Sequence, residues 1–473
     1  MIPGPFRRAL TALTTLGLGA AAAVGPGAAS VAPVATAVPH PFVREVEHLT
    51  FPPTTADCLK IFGFHCYQPF QLEKAYGLNT LHNAGIDGRG YTILIVDSFG
   101  SPTIRNDLQK FDQQFGIPDP PSFEIRQDAG TPPTFDPTNG DMLGWAAETT
   151  LDVEWSHVFA PGARIVLEET PVSETEGVQG FPEIVTAENF AINHGKADVI
   201  SQSFGATEET FPSRQSLLNL RGSFKNAAQH HVTVLAGSGD EGATNFQLNL
   251  IDLYTFPVNS WPSSDPLVTS LGGTMLLLDA NGNRLQPDVV WNDLNTVGGG
   301  AGGGGLSKVF ERPDFQDRVK KVTGDQRGTP DISLSAAVDG AVVYYRTFTA
   351  SRKNSPWGIV AGTSEATPEF AGIVAMADQV AGHRLGDINP ALYQLGPRRA
   401  KSGIVDVTSG TTTFGPFMNS DGKTYTVIGV NATRGYDLAS GWGTVDAAKF
   451  VPALARAAGE SDGGGGGDNG GGK

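Results

Sequence analysis

The sequence predicts an α/β fold, a parallel sheet flanked by helices within a single large domain. Three observations carry that expectation. Four apolar, β-rich runs, residues 91–96, 164–167, 197–200 and 231–235, each end in small or polar residues. Helix-like stretches over 143–158 and 182–194 lie between them, and strand–helix–strand spacing of this kind builds a parallel sheet with helices on both faces. A hydrophobic share of 40% over 473 residues is enough for a sizeable core.

Taken in order, the chain begins with Arg7 and Arg8 before a mostly apolar run over 9–24, and small residues follow to Ala35-Thr36-Ala37. Residues 1–37 therefore read as an export signal, and a secreted product is expected. The general export route is favoured, although paired arginines also suit twin-arginine export. The apolar run is shorter than the roughly 20 residues a span needs, so no stable membrane span is expected. Residues 38–89 read as an N-terminal arm carrying the only two cysteines, Cys58 and Cys66. In an exported chain, two cysteines this close are expected to close a small disulfide loop. Residues 90–459 hold the main domain, and residues 460–473 form a Gly-rich tail expected to be disordered.

Charge narrows the functions. With 33 Lys+Arg against 49 Asp+Glu, the net charge is −16, and no basic field for nucleic acid exists. The carboxylate surplus suits work in acid, where Asp and Glu neutralise.

Three groups of residues suggest chemistry. Ser364, in Gly362-Thr363-Ser364-Glu365-Ala366-Thr367-Pro368, stands at the start of an apolar helical run over 370–380. A serine there has free backbone N–H groups beside it and the positive end of a helix dipole, both suited to a developing oxyanion. It could equally be an N-cap. Glu148 and Asp152, four apart on a predicted helix, share one face and can share a proton; a solvated helical face is the alternative. Asp97 and Asp240 follow predicted strands, at the carboxyl ends where parallel sheets bind ligands. The chain has nine histidines but no His-Gly-Thr-His motif.

The Gly-Thr-Ser-x-x-x-Pro pattern resembles the nucleophile motif of the subtilisin-like clan. Combined with Glu148 and Asp152 and their flanks, Gly144-Trp145-Ala146-Ala147 and Val153-Glu154-Trp155-Ser156-His157, it resembles the sedolisins, the serine-carboxyl peptidases. Further matching blocks are Ser201-Gln202-Ser203-Phe204-Gly205, Gly237-Ser238-Gly239-Asp240, Trp261-Pro262-Ser263-Ser264-Asp265-Pro266 and Thr329-Pro330-Asp331-Ile332-Ser333. The resemblance, from about Tyr76 to Phe450, implies a subtilisin-like sheet and a peptidase whose nucleophile is Ser364. It implies Glu148 as the base, Asp152 as its orienting partner and Asp240 in the oxyanion hole. Asp97 is a possible member of the same proton network, a relic of the subtilisin Asp, or a turn former. A carboxylate base stays partly ionised in acid where histidine would be protonated, and Asp240 must keep a proton to donate, so activity is expected to fall at neutral pH. Protein or peptide substrates and a monomer are expected. The loop over 128–141 is a candidate cleft wall.

The family's calcium site resembles the pairing of Asp406-Val407 with Thr433-Arg434-Gly435-Tyr436-Asp437. It implies one structural Ca²⁺ on the side chains of Asp406 and Asp437 and the carbonyls of Val407, Thr433 and Gly435, oxygen donors of the kind calcium takes. Thr433 stands where glycine is usual. Phe204 stands where many members have Trp, and Ala361 and Glu365 also depart from the usual motif. The stretch between the expected cleavage site and Tyr91 is too short for the family's large folded prosegment. Two rival readings stay open: a non-catalytic secreted binding protein on a peptidase scaffold, and a neutral subtilisin-type enzyme that uses a distant histidine.

Overall fold

A computed structural model describes residues 49–350 and 354–463, all within one compact unit. The expected export signal over 1–37, and the tail beyond 463, lie outside the described residues. The central sheet has the spatial order Val289–Val290, Thr269–Met275, Thr233–Gly237, Val199–Gln202, Thr92–Ser98, Arg164–Thr170, Phe123–Arg126. Ile332–Ser335 pairs in parallel with Thr269–Met275, and only Val289–Val290 runs antiparallel to its neighbour. All four expected strands are present, and the expected helices become Gly140–Phe159 and Phe181–Asn193.

Each central strand is buried on both faces, which is why it reads as an unbroken apolar run. Ile93, Ile95, Ile165 and Leu167 point into one core with Leu151, Phe370 and Phe450. The alternate residues Leu94, Val96, Val166 and Ile200 point into a second core with Phe181, Ile184 and Phe224. The first core lies under the helices Gly140–Phe159, Thr363–Ala381 and Ala447–Gly463; the second lies under Phe181–Asn193 and Gly222–Gln229. Thr269–Met275 has no apolar run to announce it. Its Gly273 sits where a Cβ would come 2.8 Å from both Ala336 and Trp291, so tight packing excludes the side chain that would signal a strand.

The N-terminal arm is part of this unit. Thr54 caps the helix Thr55–Ile61 in a reciprocal box with Asp57. Cys58, in that helix, is disulfide-bonded to Cys66, whose strand Cys66–Tyr67 pairs in parallel with Ala341–Tyr345. Leu72, Tyr76, Leu78 and Leu81 enter the same core as Phe370, so packing continues across the expected boundary at 89/90. At the other end the last helix, Ala447–Gly463, runs past the expected start of the tail at 460.

Candidate functional site

Two buried helices bring the predicted residues together. In Gly140–Phe159, the Asn139 side chain caps the first turn by accepting from the Asp141 and Met142 N–H groups. Every residue from Trp145 to Phe159 is buried, so this helix has no solvated face, and the alternative reading of the carboxylate pair fails on that point. Glu148 and Asp152 are both 0% exposed. Trp145 donates its indole N–H to Ser173, and Trp155 donates to the carbonyl of Val343, so both large rings are polar-satisfied inside. Phe204 packs edge-on against Trp145, with ring centroids 6.2 Å apart.

The second helix, Thr363–Ala381, starts at Gly362, whose φ of 128° and ψ of 170° give the sharp entry that presents Ser364. The cap is this glycine and no side chain caps the turn, so Ser364 is not an N-cap. Pro368 lies inside the helix and has no N–H for the Ser364 carbonyl four residues back. The Ser203 hydroxyl lies in its place, 3.3 Å from that carbonyl and 2.8 Å from Asp152 Oδ1. The Ser364 hydroxyl in turn lies 3.4 Å from the carbonyl of Ser203. Ser203 thus joins the carboxylate pair to the serine turn. Sequence reasoning missed this role, although Ser203 follows a strand end, where the sheet rule places ligand-facing residues.

The electrostatics follow from burial. Glu148 is pushed well above the usual carboxylate range by burial, then by Asp152 and Asp97; the Ser364 hydroxyl is the neighbour that favours its charged form. Asp152 is raised in the same way by burial and Asp97, with Ser203 opposing. Asp97, at the end of Thr92–Ser98, is raised to about 7 by burial, against the pull of the Thr149 hydroxyl, with Glu169 adding to the rise. The three acids therefore form one coupled group whose protons belong to the set.

Asp240 reaches the start of the serine helix at Thr363. Its Oδ1 accepts from the Thr363 N–H and hydroxyl, both at 2.8 Å, at the N-terminal end of the serine helix. A Cβ on Gly362 would stand 2.6 Å from Asp240 Oδ2, so glycine is needed here both for its φ and for this approach. Burial raises Asp240 to about 6 while the two Thr363 donors lower it. Hydrogen bonds thus tie Asp152, through Ser203, and Asp240, through Thr363, to the turn that carries Ser364, while Glu148 and Asp97 are buried near enough to act on its charges and have no hydrogen-bonded oxygen.

A second carboxyl pair was missed in the sequence. Glu365 and Glu369 are four apart on the serine helix, both 0% exposed, and none of their four oxygens has a hydrogen-bond partner. Burial holds Glu365 well above its ordinary value, opposed by the Ser335 hydroxyl and reinforced by Asp240; burial and Glu365 do the same to Glu369. The i, i+4 rule that picked out Glu148 and Asp152 would have found this pair too.

Away from this turn, Asp406 and Asp437 are tied to one loop. Both Asp406 oxygens lie 3.2 Å from the Gly435 N–H, and Asp437 Oδ2 accepts from the Thr433 N–H at 2.6 Å. In this structure the contacts that the two carboxylates make with the loop are with backbone N–H groups, of Gly435 and of Thr433. Among the described residues no group of three or more His, Cys, Asp or Glu is placed to hold a metal ion, so a cation at this loop would need carbonyl oxygens beside the two carboxylates. The same residues include no helix long and apolar enough to cross a membrane.

No protein-family model matches the chain. It is 31% identical over 338 residues to kumamolisin of Bacillus sp. (strain MN-32), covering 70% of this chain and 55% of that protein. Sedolisin of Pseudomonas sp. (strain 101) is 31% identical over 280 residues, covering 58% and 43%. Tripeptidyl-peptidase 1 of Homo sapiens is 27% identical over 317 residues, covering 63% and 50%. The chain spans about half the length of the curated relatives it matches. Among solved structures, Pseudomonas sedolisin, a serine-carboxyl proteinase complexed with two molecules of pseudo-iodotyrostatin, superposes with a TM-score of 0.67 at 26% identity. That match covers 82% of this chain and 97% of that one. With the sheet, the two buried helices and the gathered acids, these likenesses show that the chain belongs to the sedolisin family.

Proposed function

We propose that this chain is a secreted, acid-active serine-carboxyl peptidase that hydrolyses peptide bonds of proteins or peptides through an acyl-enzyme on Ser364. One observation carries the reading: the buried Asp152, four residues after the buried Glu148, is joined through Ser203 to the turn of a helix-start serine, and Asp240 accepts from Thr363 in the same turn. Ser364 Oγ attacks the scissile carbonyl carbon and its proton passes to Glu148. Glu148 then protonates the amine as the C–N bond breaks. Water attacks the ester in the second half, giving its proton to Glu148, which returns it to Ser364 Oγ. Asp152 and Asp97 hold the remaining protons of the set and keep Glu148 oriented. Asp240, protonated below about 6, donates to the oxyanion; once ionised it would repel that oxygen.

Among the described residues no histidine hydrogen-bonds to Ser364, and the buried His157 is engaged with the carbonyl of Pro118. This favours the carboxylate base over the neutral subtilisin-type reading. Export is proposed from the signal-like residues 1–37. The Asp406–Asp437 loop is proposed to take one structural Ca²⁺, with the carbonyls of Val407, Thr433 and Gly435; bound there, the ion would tie the two loop segments together.

The deciding experiment digests a denatured protein from about pH 3 to pH 8 with wild type and Ser364→Ala. Cleavage in acid that disappears with Ser364→Ala is expected. Absence of Ser364-dependent cleavage at every pH would leave a binding protein on a peptidase scaffold. An optimum at neutral pH would exclude the carboxylate chemistry. A second variant checks Asp240. Asp240→Asn keeps an N–H donor at every pH, so the upper limb of the kcat/KM profile, set near pH 6 by Asp240, should move to higher pH. An unmoved limb would assign it to another group.

A further inference from the structure

We propose that Glu169 is a positioning residue for the acids beside Ser364: its carboxylate, on the strand next to Asp97, keeps the proton on Asp97 and leaves Glu148 and Asp152 beside a neutral neighbour. The benefit to catalysis rests on the peptidase reading above; the hold on Asp97 does not.

Asp97 stands opposite Glu169 in the parallel pair Thr92–Ser98 and Arg164–Thr170. Side chains alternate along a strand, so Asp97 shares the face of Ile93 and Ile95, and Glu169 that of Ile165 and Leu167. Both lie on the face covered by the helix Gly140–Phe159, which carries Thr149, Glu148 and Asp152, and their strands are about 4.8 Å apart. Glu168, one residue back, faces the other way and engages Arg126 and Asp128. The turn after Asp97 closes on Glu169. Phe99 at φ 63° and Gly100 at φ 74° both hold left-handed backbone, which an aromatic residue seldom adopts. A Cβ on Gly100 would overlap the Glu169 carboxyl, so the strained turn lays bare backbone against this acid and fixes its place.

Glu169 differs from the acids behind it. It is 8% exposed, whereas Asp97, Glu148 and Asp152 are 0%. Its Oε2 accepts from Gln127 Nε2 at 2.8 Å, and the Arg105 guanidinium, on the helix Ile104–Phe115, also favours its charge. Neither oxygen of Asp97 is hydrogen-bonded, and only the Thr149 hydroxyl opposes the effect of its burial. Glu169 therefore ionises first. Its charge then disfavours a second one on Asp97, which stays protonated through the acid range. A charged Asp97 would raise both Glu148 and Asp152, so a neutral Asp97 spares the base a third like charge.

The test labels the aspartate carboxyls of the whole protein with carbon-13 and follows the infrared band of protonated carboxyls from about pH 4 to pH 9. Wild type, Glu169→Gln and Glu169→Asp are compared, and the component missing from Asp97→Asn belongs to Asp97. In wild type that component should disappear near pH 7. In Glu169→Gln, which keeps an acceptor for Gln127 but no charge, it should disappear about one pH unit lower. Glu169→Asp, which keeps the charge, should titrate like wild type. The upper limb of the kcat/KM profile should move to lower pH in Glu169→Gln and stay in place in Glu169→Asp. An Asp97 midpoint unmoved by Glu169→Gln overturns the proposal, as does one that Glu169→Asp moves equally. So does a moved midpoint with an unmoved limb, or a loss of activity uniform across pH, which marks a structural role only. The infrared measurement needs no turnover, so failure of the hold on Asp97 is separate from failure of the peptidase reading.

Discussion

Glu148→Gln should lower kcat/KM by about a thousandfold at acid pH, within the range general acid–base catalysis supplies. The substitution keeps size and shape in a site with no exposed surface, and removes only the ability to take and return a proton. Asp152 stays four residues away and keeps its bond from Ser203, so the scaffold of the pair survives. Because burial opposes charge on Glu148, the neutral amide should leave the melting temperature unchanged or raise it. Activity loss with intact folding is therefore the expected signature, read from steady-state kinetics on a peptide beside a thermal melt. Asp97→Asn should cost less, since Asp97 acts on the serine only through the pair. A Glu148→Gln enzyme within tenfold of wild type would remove Glu148 as the base.

The protein should also lose stability steeply as pH rises from about 4 to 8, the reverse of acid denaturation. Asp240 is held up to about 6, Asp97 and Glu188 to about 7, and Glu176 and Glu241 to about 8, in every case chiefly by burial. Glu365, Glu369 and Asp378 are also raised well above the usual carboxylate range, chiefly by burial. When the folded pKa of an acid exceeds its unfolded value near 4, the folded state binds more protons across the interval between them. Its stabilisation is complete below the unfolded value and is lost as pH climbs through the folded one. One group raised by three units accounts for about 4 kcal/mol, and coupled groups add less than their sum. Denaturant midpoints at pH 4, 6 and 8 should fall in that order. Glu369→Leu, which replaces an unpartnered buried carboxyl by an apolar side chain, should flatten the fall. Midpoints that rise toward pH 8 would contradict the burial account.

Much of this was legible in the residues, and the gaps have physical causes. Strands buried on both faces wrote themselves as apolar runs at 91–96 and 231–235. Thr269–Met275 did not, because its glycines are imposed by neighbours distant in sequence. The acids at 148 and 152 could be paired from helical spacing, but their burial depends on the serine helix and the sheet packing around them. The Glu365–Glu369 pair was not picked out for the same reason: nothing local says that the helix is buried from Thr363 to Asp378.

The proline inside the serine helix has a consequence for how the site registers acidity. By withholding an N–H from the Ser364 carbonyl, Pro368 leaves an acceptor beside Ser203, whose hydroxyl carries a single proton and already lies against Asp152. Ionised Asp152 draws that proton to itself; protonated Asp152 releases it toward the backbone of the serine turn. On the proposed assignment of Ser364 as nucleophile, the hydrogen bonding of its peptide group would be tied to how many protons the buried acids hold, and a change in the surrounding pH would reach it through one hydroxyl rotor.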